Sequence, residues 1–249
     1  MTKMEVRRRI ELLLAKEYFC TPEQLNSQSV SFTMDTASQQ PRIHAMAYRG
    51  SVIVCTSTDL WNSIPRLLQG RSRDEIFELP YLYGQTIHYV PDNLPEMIAP
   101  PQYDCQLLFG DEIEALNGLK NFDNSLAFDA LGHTPTIAVY IARFYGKIVG
   151  VAGASTAEND GMLEVGVDVL PEHRNARLGT YLVSTLTKAL LNRDILPFYS
   201  ASVTNLGSQM VASRCGYVPA WMDTFGNTLD GSSVYHDIVQ AMPLPRKEL

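Results

Sequence analysis

Residues 162–180 read MLEVGVDVLPEHRNARLGT, and the reading of this stretch decides the fold. Its first half alternates. Leu163, Val165, Val167 and Val169 share one side, and Glu164, Gly166 and Asp168 the other, the period of a half-buried strand. Pro171 ends that strand. A polar, basic turn follows and runs straight into Leu178, Leu182, Leu186 and Leu190, a leucine every four residues. Val183 and Ala189 widen this into the apolar stripe of an amphipathic helix. A strand that stops at a basic turn and reopens as a helix suits an anion. The first N–H groups of the helix have no intrahelical acceptor, and the helix dipole places positive potential there. Arg174 and Arg177 add full charges.

Outward from this unit, Pro197 to Val203 reads as the next strand, Asn205-x-x-Ser208 opens a helix, and Cys215-Gly216-Tyr217 closes it. Tyr217 to Thr224 and Ser233 to Met242 read as two final strands. On the N-terminal side, Thr136 to Phe144 and Lys147 to Ser155 read as antiparallel strands around Tyr145-Gly146, and Asp111 to Leu116 and Asn124 to Leu131 as helices. Val90 to Gln102 holds four prolines and neither helical nor strand periodicity, so it reads as a linker. Before it lies a small α/β module. Val6, Ile10, Leu13 and Leu14 mark a first helix, and Thr21-Pro22 a helix start. Arg42 to Ala47 and Ser51 to Thr56 form a hairpin at Arg49-Gly50, and Asp59 caps a helix through about Leu68.

The segment Arg174-Asn175-Ala176-Arg177-Leu178-Gly179, with the Asn205-x-x-Ser208 to Gly216-Tyr217 spacing behind it, resembles the GNAT superfamily of acetyl-CoA-dependent N-acetyltransferases. That family's signature at this turn is Arg/Gln-x-x-Gly-x-Gly/Ala, so Arg177 stands where glycine is usual. An arginine there either contacts a phosphate through its guanidinium or partly blocks the turn. The resemblance covers about residues 104–243. It implies an α+β (mixed α/β) fold, a central, mostly antiparallel sheet flanked by helices. The 1–100 module resembles the N-terminal extensions of some bacterial two-part GNAT proteins.

The resemblance also implies site residues. Main-chain groups of Val167, Asp168 and Val169 would meet the pantetheine arm and thioester carbonyl of acetyl-CoA. Arg174, Asn175, Ala176, Arg177, Leu178, Gly179 and Thr180 would hold the pyrophosphate, and Asn205 and Ser208 would sit beside the pantetheine. Asn205 is equally a good helix N-cap, and both roles are compatible. Acetyl transfer to an amine needs no covalent nucleophile; it needs a neutral amine, a thioester held within attack distance and oxyanion donors. Glu164 is the candidate general base, with a structural carboxylate as the plain alternative; Asp168 is a second candidate. The family's usual general-acid tyrosine is replaced by Ala212. Cys215 reads as core packing rather than as a nucleophile.

The 249 residues carry a formal net charge of -7, and neither half is basic, which argues against nucleic acid as the main partner. An acidic surface suits a cationic acceptor. Four scattered cysteines and five histidines show no metal-ligand spacing, so no metal is expected. His173 reads as a solvated turn residue, and Trp61 and Trp221 as core or pocket wall. No stretch approaches the ~18–20 apolar residues of a membrane span, and no signal-like segment follows the first arginines, so the expected location is cytoplasmic. The reading is an N-acetyltransferase moving an acetyl group from acetyl-CoA to a primary amine of a small molecule, with a homodimer in keeping with the family. Its alternative is a non-catalytic acyl-CoA-binding or regulatory protein acting through a partner, for which Ala212 and Arg177 leave room.

Overall fold

Fifteen residues from Lys3 to Glu17 form α1, the first of seven α-helices among the described residues of the computed structural model, which are 1–100, 102–156, 161–174 and 176–228. Then come α2 (Pro22–Leu25), β1 (Val30–Asp35), β2 (Arg42–Tyr48), β3 (Ser51–Ser57), α3 (Ile64–Leu68), α4 (Arg73–Phe77) and β4 (Thr86–Pro91). The chain continues through β5 (Asp104–Phe109), α5 (Asp123–Leu126), β6 (Thr136–Phe144), β7 (Lys147–Ser155), β8 (Met162–Val169) and α6 (Leu178–Leu191). The last described elements are β9 (Leu196–Ser202), α7 (Leu206–Arg214), β10 (Tyr217–Asp223) and the short β11 (Asn227–Thr228). Ser233 to Met242, read as a last strand, lies outside the described residues. No helix among them is long and apolar enough to cross a membrane.

The chain divides into two compact units, Met1–Leu13 with Ile87–Ala220, and Leu14–Thr86 with the residues from Trp221 on. In the first, strands run in the order β4-β9-β8-β7-β6-β5. Neighbours from β5 to β8 are antiparallel, and β8 and β9 are parallel. The fold is α+β, with a mostly antiparallel sheet flanked by helices. The leucine stripe does what its spacing predicts: Leu178, Leu182, Leu186 and Leu190 are fully buried with Leu163 and Val165 of β8. Each such side chain contributes about 1.5–3 kcal/mol through area removed from water.

The other face of the same strands is covered differently. Gly153 of β7 and Gly166 of β8 lie opposite each other in register. A Cβ on Gly153 would lie 1.6 Å from the Ser125 carbonyl oxygen, and one on Gly166 2.0 Å from that of Asn124. The backbone of α5 therefore rests directly on this glycine pair. The helix expected from Asn124 to Leu131 stops at Leu126, because Ala127 takes a left-handed conformation (φ 48°).

In the second unit, β1 pairs parallel with β3, β3 antiparallel with β2, and Trp221–Asp223 antiparallel with β2. Ile43, Val54, Ile76 and Leu82 share its core. Trp221 is buried there, and His44 is a core histidine whose pKa burial pushes down to about 4. The helix expected from Asp59 to Leu68 is split into a 3-10 turn at Thr58–Leu60 and α3, with Pro65 near the start of α3. Proline lacks a donor and fits only a helix's first turn. Strands β1, β4 and β5, the short β11 and helix α4 were not expected from the sequence.

Candidate functional site

β8 and β9 pair at only three positions, Met162–Leu196, Leu163–Pro197 and Glu164–Phe198, after which no pairing is formed among the described residues. A cleft of about 470 Å³ lies beyond that last pair. Its lining includes Glu164 to Val167 on β8, Tyr199 to Ser202 on β9, and Asn205 and Ser208 on α7.

The backbone of β8 has a defined polarity at this cleft. The Leu170 N–H donates to the Val149 carbonyl on β7 (2.9 Å), whereas the Val169 carbonyl accepts from Arg174 Nε (2.9 Å). Alternation along the strand then turns the N–H and C=O groups of Val167 and Val169 away from β7, toward the side where β9 has parted. Those of Asp168 face β7. A ligand running along β8 meets a strand edge with main-chain donors and acceptors on it.

At the strand's end a 3-10 turn, Pro171–His173, leads to α6. Its first intrahelical bond is Tyr181 N–H to Arg177 O (3.0 Å), so the N–H groups of Leu178, Gly179 and Thr180 precede any intrahelical acceptor. The side chains of Leu178 and Thr180 are buried, so backbone is what they offer the turn. Ala176 and Arg177 are exposed; Asn175 lies outside the described residues. Gly179 lets α6 start close to β8, its missing Cβ falling 3.5 Å from Val169 Cγ2. Arg177 is the helix N-cap and left-handed (φ 58°). That conformation explains why glycine would be at ease there and leaves the arginine side chain in solvent.

Asn205 caps α7, its Oδ1 accepting from the Ser208 N–H (3.1 Å), and it lines the cleft as well. Ser208 Oγ lies 2.7 Å from the Tyr199 hydroxyl, whose pKa burial pushes up to about 12. Glu164 is half-buried at the cleft, opposite Ser155 in register, and nothing among the described residues hydrogen-bonds its carboxylate. Asp168 differs. Its carboxylate accepts from Asn124 Nδ2 (2.7 Å), Ser125 N–H (2.9 Å) and Ser125 Oγ (2.9 Å), fastening α5 to β8. Two carboxylates on one strand face thus have two environments, one open and one fully engaged.

Ala212 is fully buried, so no side chain enters the cleft from that turn of α7. Cys215 is buried too, its Sγ donating to the Thr180 carbonyl (3.3 Å), and burial raises its thiol to about 11, far from a thiolate nucleophile. His173 is not a solvated turn residue: it is half-buried, with Nδ1 3.1 Å from the Tyr103 hydroxyl and its ring edge-on to Phe144. Among the described residues no His, Cys, Asp and Glu cluster could hold a metal. Sequence reasoning missed Tyr199 and Ser200 in the cleft and the α5 backbone beside it. Their signal was the polar and aromatic character of Tyr199-Ser-Ala-Ser202 in a strand otherwise suited to full burial.

Residues 107–217 match the profile of the acetyltransferase (GNAT) family. Those residues are a GNAT domain. The chain is similar to a GCN5-related N-acetyltransferase-like protein from Streptococcus suis, at 17% identity over 91% of this chain and 100% of that one (TM-score 0.49). It is also similar to a GNAT-family acetyltransferase from Novosphingobium aromaticivorans, at 16% identity over 58% of this chain and 65% of that one (TM-score 0.44). A third is an aminoglycoside N-acetyltransferase solved in complex with CoA, at 22% identity over 47% of this chain and 89% of that one (TM-score 0.37). No curated protein sequence matches the chain. The GNAT match starts after β4, so β4, which lies beside β9, comes from outside the matched residues.

Proposed function

We propose that the protein is an acetyl-CoA-dependent N-acetyltransferase whose acceptor is a primary amine of a small molecule. The observation that carries this reading is the parting of β8 from β9 after Glu164–Phe198, with a cleft at the gap and the edge of β8 facing it. Pantetheine is an amide-bearing chain that complements such an edge. The open N–H groups at the start of α6 suit the pyrophosphate, and the acyl end then lies between Glu164 and the Tyr199–Ser208 pair.

In this reading Glu164 takes a proton from the acceptor's ammonium, directly or through one water. The neutral nitrogen attacks the thioester carbonyl, and the oxyanion is met by a main-chain donor of β8. As the C–N bond forms and the C–S bond breaks, the leaving thiolate takes the nitrogen's second proton. Ala212 offers no donor for that step, and Tyr199, held neutral by burial, serves as a hydrogen-bond donor through Ser208 rather than as a strong acid.

Thermal unfolding with and without acetyl-CoA tests the first half. At about a hundred times its Kd the ligand adds roughly 2.7 kcal/mol, a rise of a few degrees. Turnover against a panel of primary amines tests the second half. Stabilisation without turnover would favour the reading of a non-catalytic acyl-CoA-binding protein, which the buried Ala212 motivates. Glu164→Gln is expected to lower kcat far more than acetyl-CoA affinity; an unchanged kcat across pH 6–9 would remove Glu164 as the base.

A further inference from the structure

Ser200 borders the same cleft, and its Oγ lies 2.9 Å from Nδ1 of His88 on β4. Glu164 and Phe198 are paired neighbours in a parallel ladder, so their side chains share a face of the sheet, and Ser200, two residues further on, shares it too. The His88 ring stands beside Phe198, with centroids 6.0 Å apart. Ser200 is therefore on the Glu164 side of the cleft, whereas Tyr199 and Ser208 hold the opposite side. Nothing in the chemistry derived above uses this pair.

A serine hydroxyl has one proton and two lone pairs, and its rotor is free unless a partner fixes it. When His88 Nδ1 is the unprotonated ring nitrogen, the Ser200 proton is drawn to it, and the Oγ lone pairs are left for the cleft. A hydroxyl set in this way is an acceptor for N–H and not a donor. The group that must arrive on the Glu164 side, given the proposed acetyl transfer, is an amine nitrogen bearing hydrogens. A carboxylate and a hydroxyl acceptor together suit an ammonium, which presents three N–H donors.

We propose that His88 carries its ring proton on Nε2, that the Ser200 hydroxyl donates to its Nδ1, and that Ser200, set in this way, is the subsite that receives the N–H of the incoming primary amine. Ser200 would touch the acceptor; His88 is a positioning residue that acts through it. Because His88 lies on β4, before residues 107–217, a residue outside the GNAT match would complete the acceptor side of the site. This inference rests on the acetyl-transfer reading above.

The test needs no knowledge of the natural acceptor. Two stable thioethers of CoA carry either –CH2–CO–NH–C2H5 or –CH2–CO–O–C2H5 on sulfur. They differ in one N–H at the position of the acceptor nitrogen. Calorimetric titration of the wild-type protein is expected to show the amide bound about five- to tenfold more tightly than the ester, the size of one net hydrogen bond. Ser200→Ala and His88→Phe should reduce that preference to about one, with acetyl-CoA affinity unchanged; His88→Leu, which also lacks an acceptor, replaces the phenylalanine variant if that fails to fold. Glu164→Gln should retain a preference. Equal binding of amide and ester by the wild type, or a preference that survives Ser200→Ala, overturns the subsite while leaving coenzyme binding intact. A wild-type protein that binds neither thioether nor acetyl-CoA overturns the coenzyme reading and the subsite together.

Discussion

The two faces of β8 meet their helices in opposite ways. On one, α6 lays four leucines onto Leu163 and Val165 and buries side chain against side chain. On the other, the four-residue α5 lays its backbone onto two glycines; the Asp168 carboxylate fastens it to β8, and Thr136 Oγ1 donates to its Ser125 and Leu126 carbonyls. The first contact is set by volume and tolerates modest change. The second is set by the absence of a Cβ and by hydrogen bonds to side chains of β8 and β6, so it has little room to adjust. The proposed acceptor side lies on the second face, where Asn124 and Glu164 border the cleft.

The largest effect is expected on the α6 face. Leu186 is fully buried, and Leu186→Ala should cost roughly 2–5 kcal/mol, the loss of transfer energy plus a cavity. Urea unfolding would read this as a lower midpoint at unchanged slope. On the other face, Gly153→Ala adds a single methyl but places it 1.6 Å from the Ser125 carbonyl oxygen. Lifting α5 to admit it should cost about 1–3 kcal/mol. Gly179→Ala is the control, since its Cβ would meet Val169 Cγ2 at 3.5 Å, an ordinary contact. If the two glycine variants proved equally stable, α5 would not rest on β7 as described, and the contrast between the faces would collapse.

Asp168→Ala should fall next, at about 1–3 kcal/mol, because it takes the carboxylate acceptor from the N–H and Oγ of buried Ser125. Asp168→Asn should recover part of this, as one oxygen remains for Ser125. A sharper form of the comparison uses hydrogen exchange. Asp168→Ala should speed exchange at Ser125, Leu126 and Ala127 and leave Leu182 and Leu186 protected, because the two faces are held independently.

How far the sequence could be read follows the same division. The α6 face was legible because leucines at every fourth position and valines at every second state their own periods, and β8 and α6 fall where those periods put them. The α5 face was not, because its contact consists of atoms that glycine lacks and of hydrogen bonds from Asp168 to residues 43 and 44 positions away. Gly166 was visible only as a polar-side residue of a strand, and its partner Gly153 looked like one more small residue in an apolar run. The early end of α5 had no announcement either, since Ala127 takes its left-handed turn without a glycine. Strand β4 stayed hidden against the proline-rich stretch that follows it. The Ser200–His88 contact spans 112 positions, beyond the reach of any spacing rule. At the candidate site, Glu164, Asn205 and Ser208 do border one cleft, but only structure separates the open carboxylate of Glu164 from the engaged one of Asp168.

Arg177 joins the two kinds of reading and gives the smallest predicted effect. It was conspicuous in the sequence as an arginine in a glycine's place, and the structure puts it in the left-handed region at the N-cap of α6. A residue with a Cβ is disfavoured there by roughly 1–2 kcal/mol, whereas glycine is not. Glycine also gives the unfolded chain more freedom, which offsets part of that gain. Arg177→Gly should therefore leave stability unchanged or raise it by about 1 kcal/mol or less, read as a midpoint shift in thermal unfolding. The same variant separates the arginine's two possible effects on the turn. If the guanidinium meets a phosphate of acetyl-CoA, Arg177→Gly binds it more weakly, and 0.5 M salt narrows the difference from wild type by screening an exposed charge. If the side chain obstructs the turn, the variant binds acetyl-CoA more tightly at both salt concentrations.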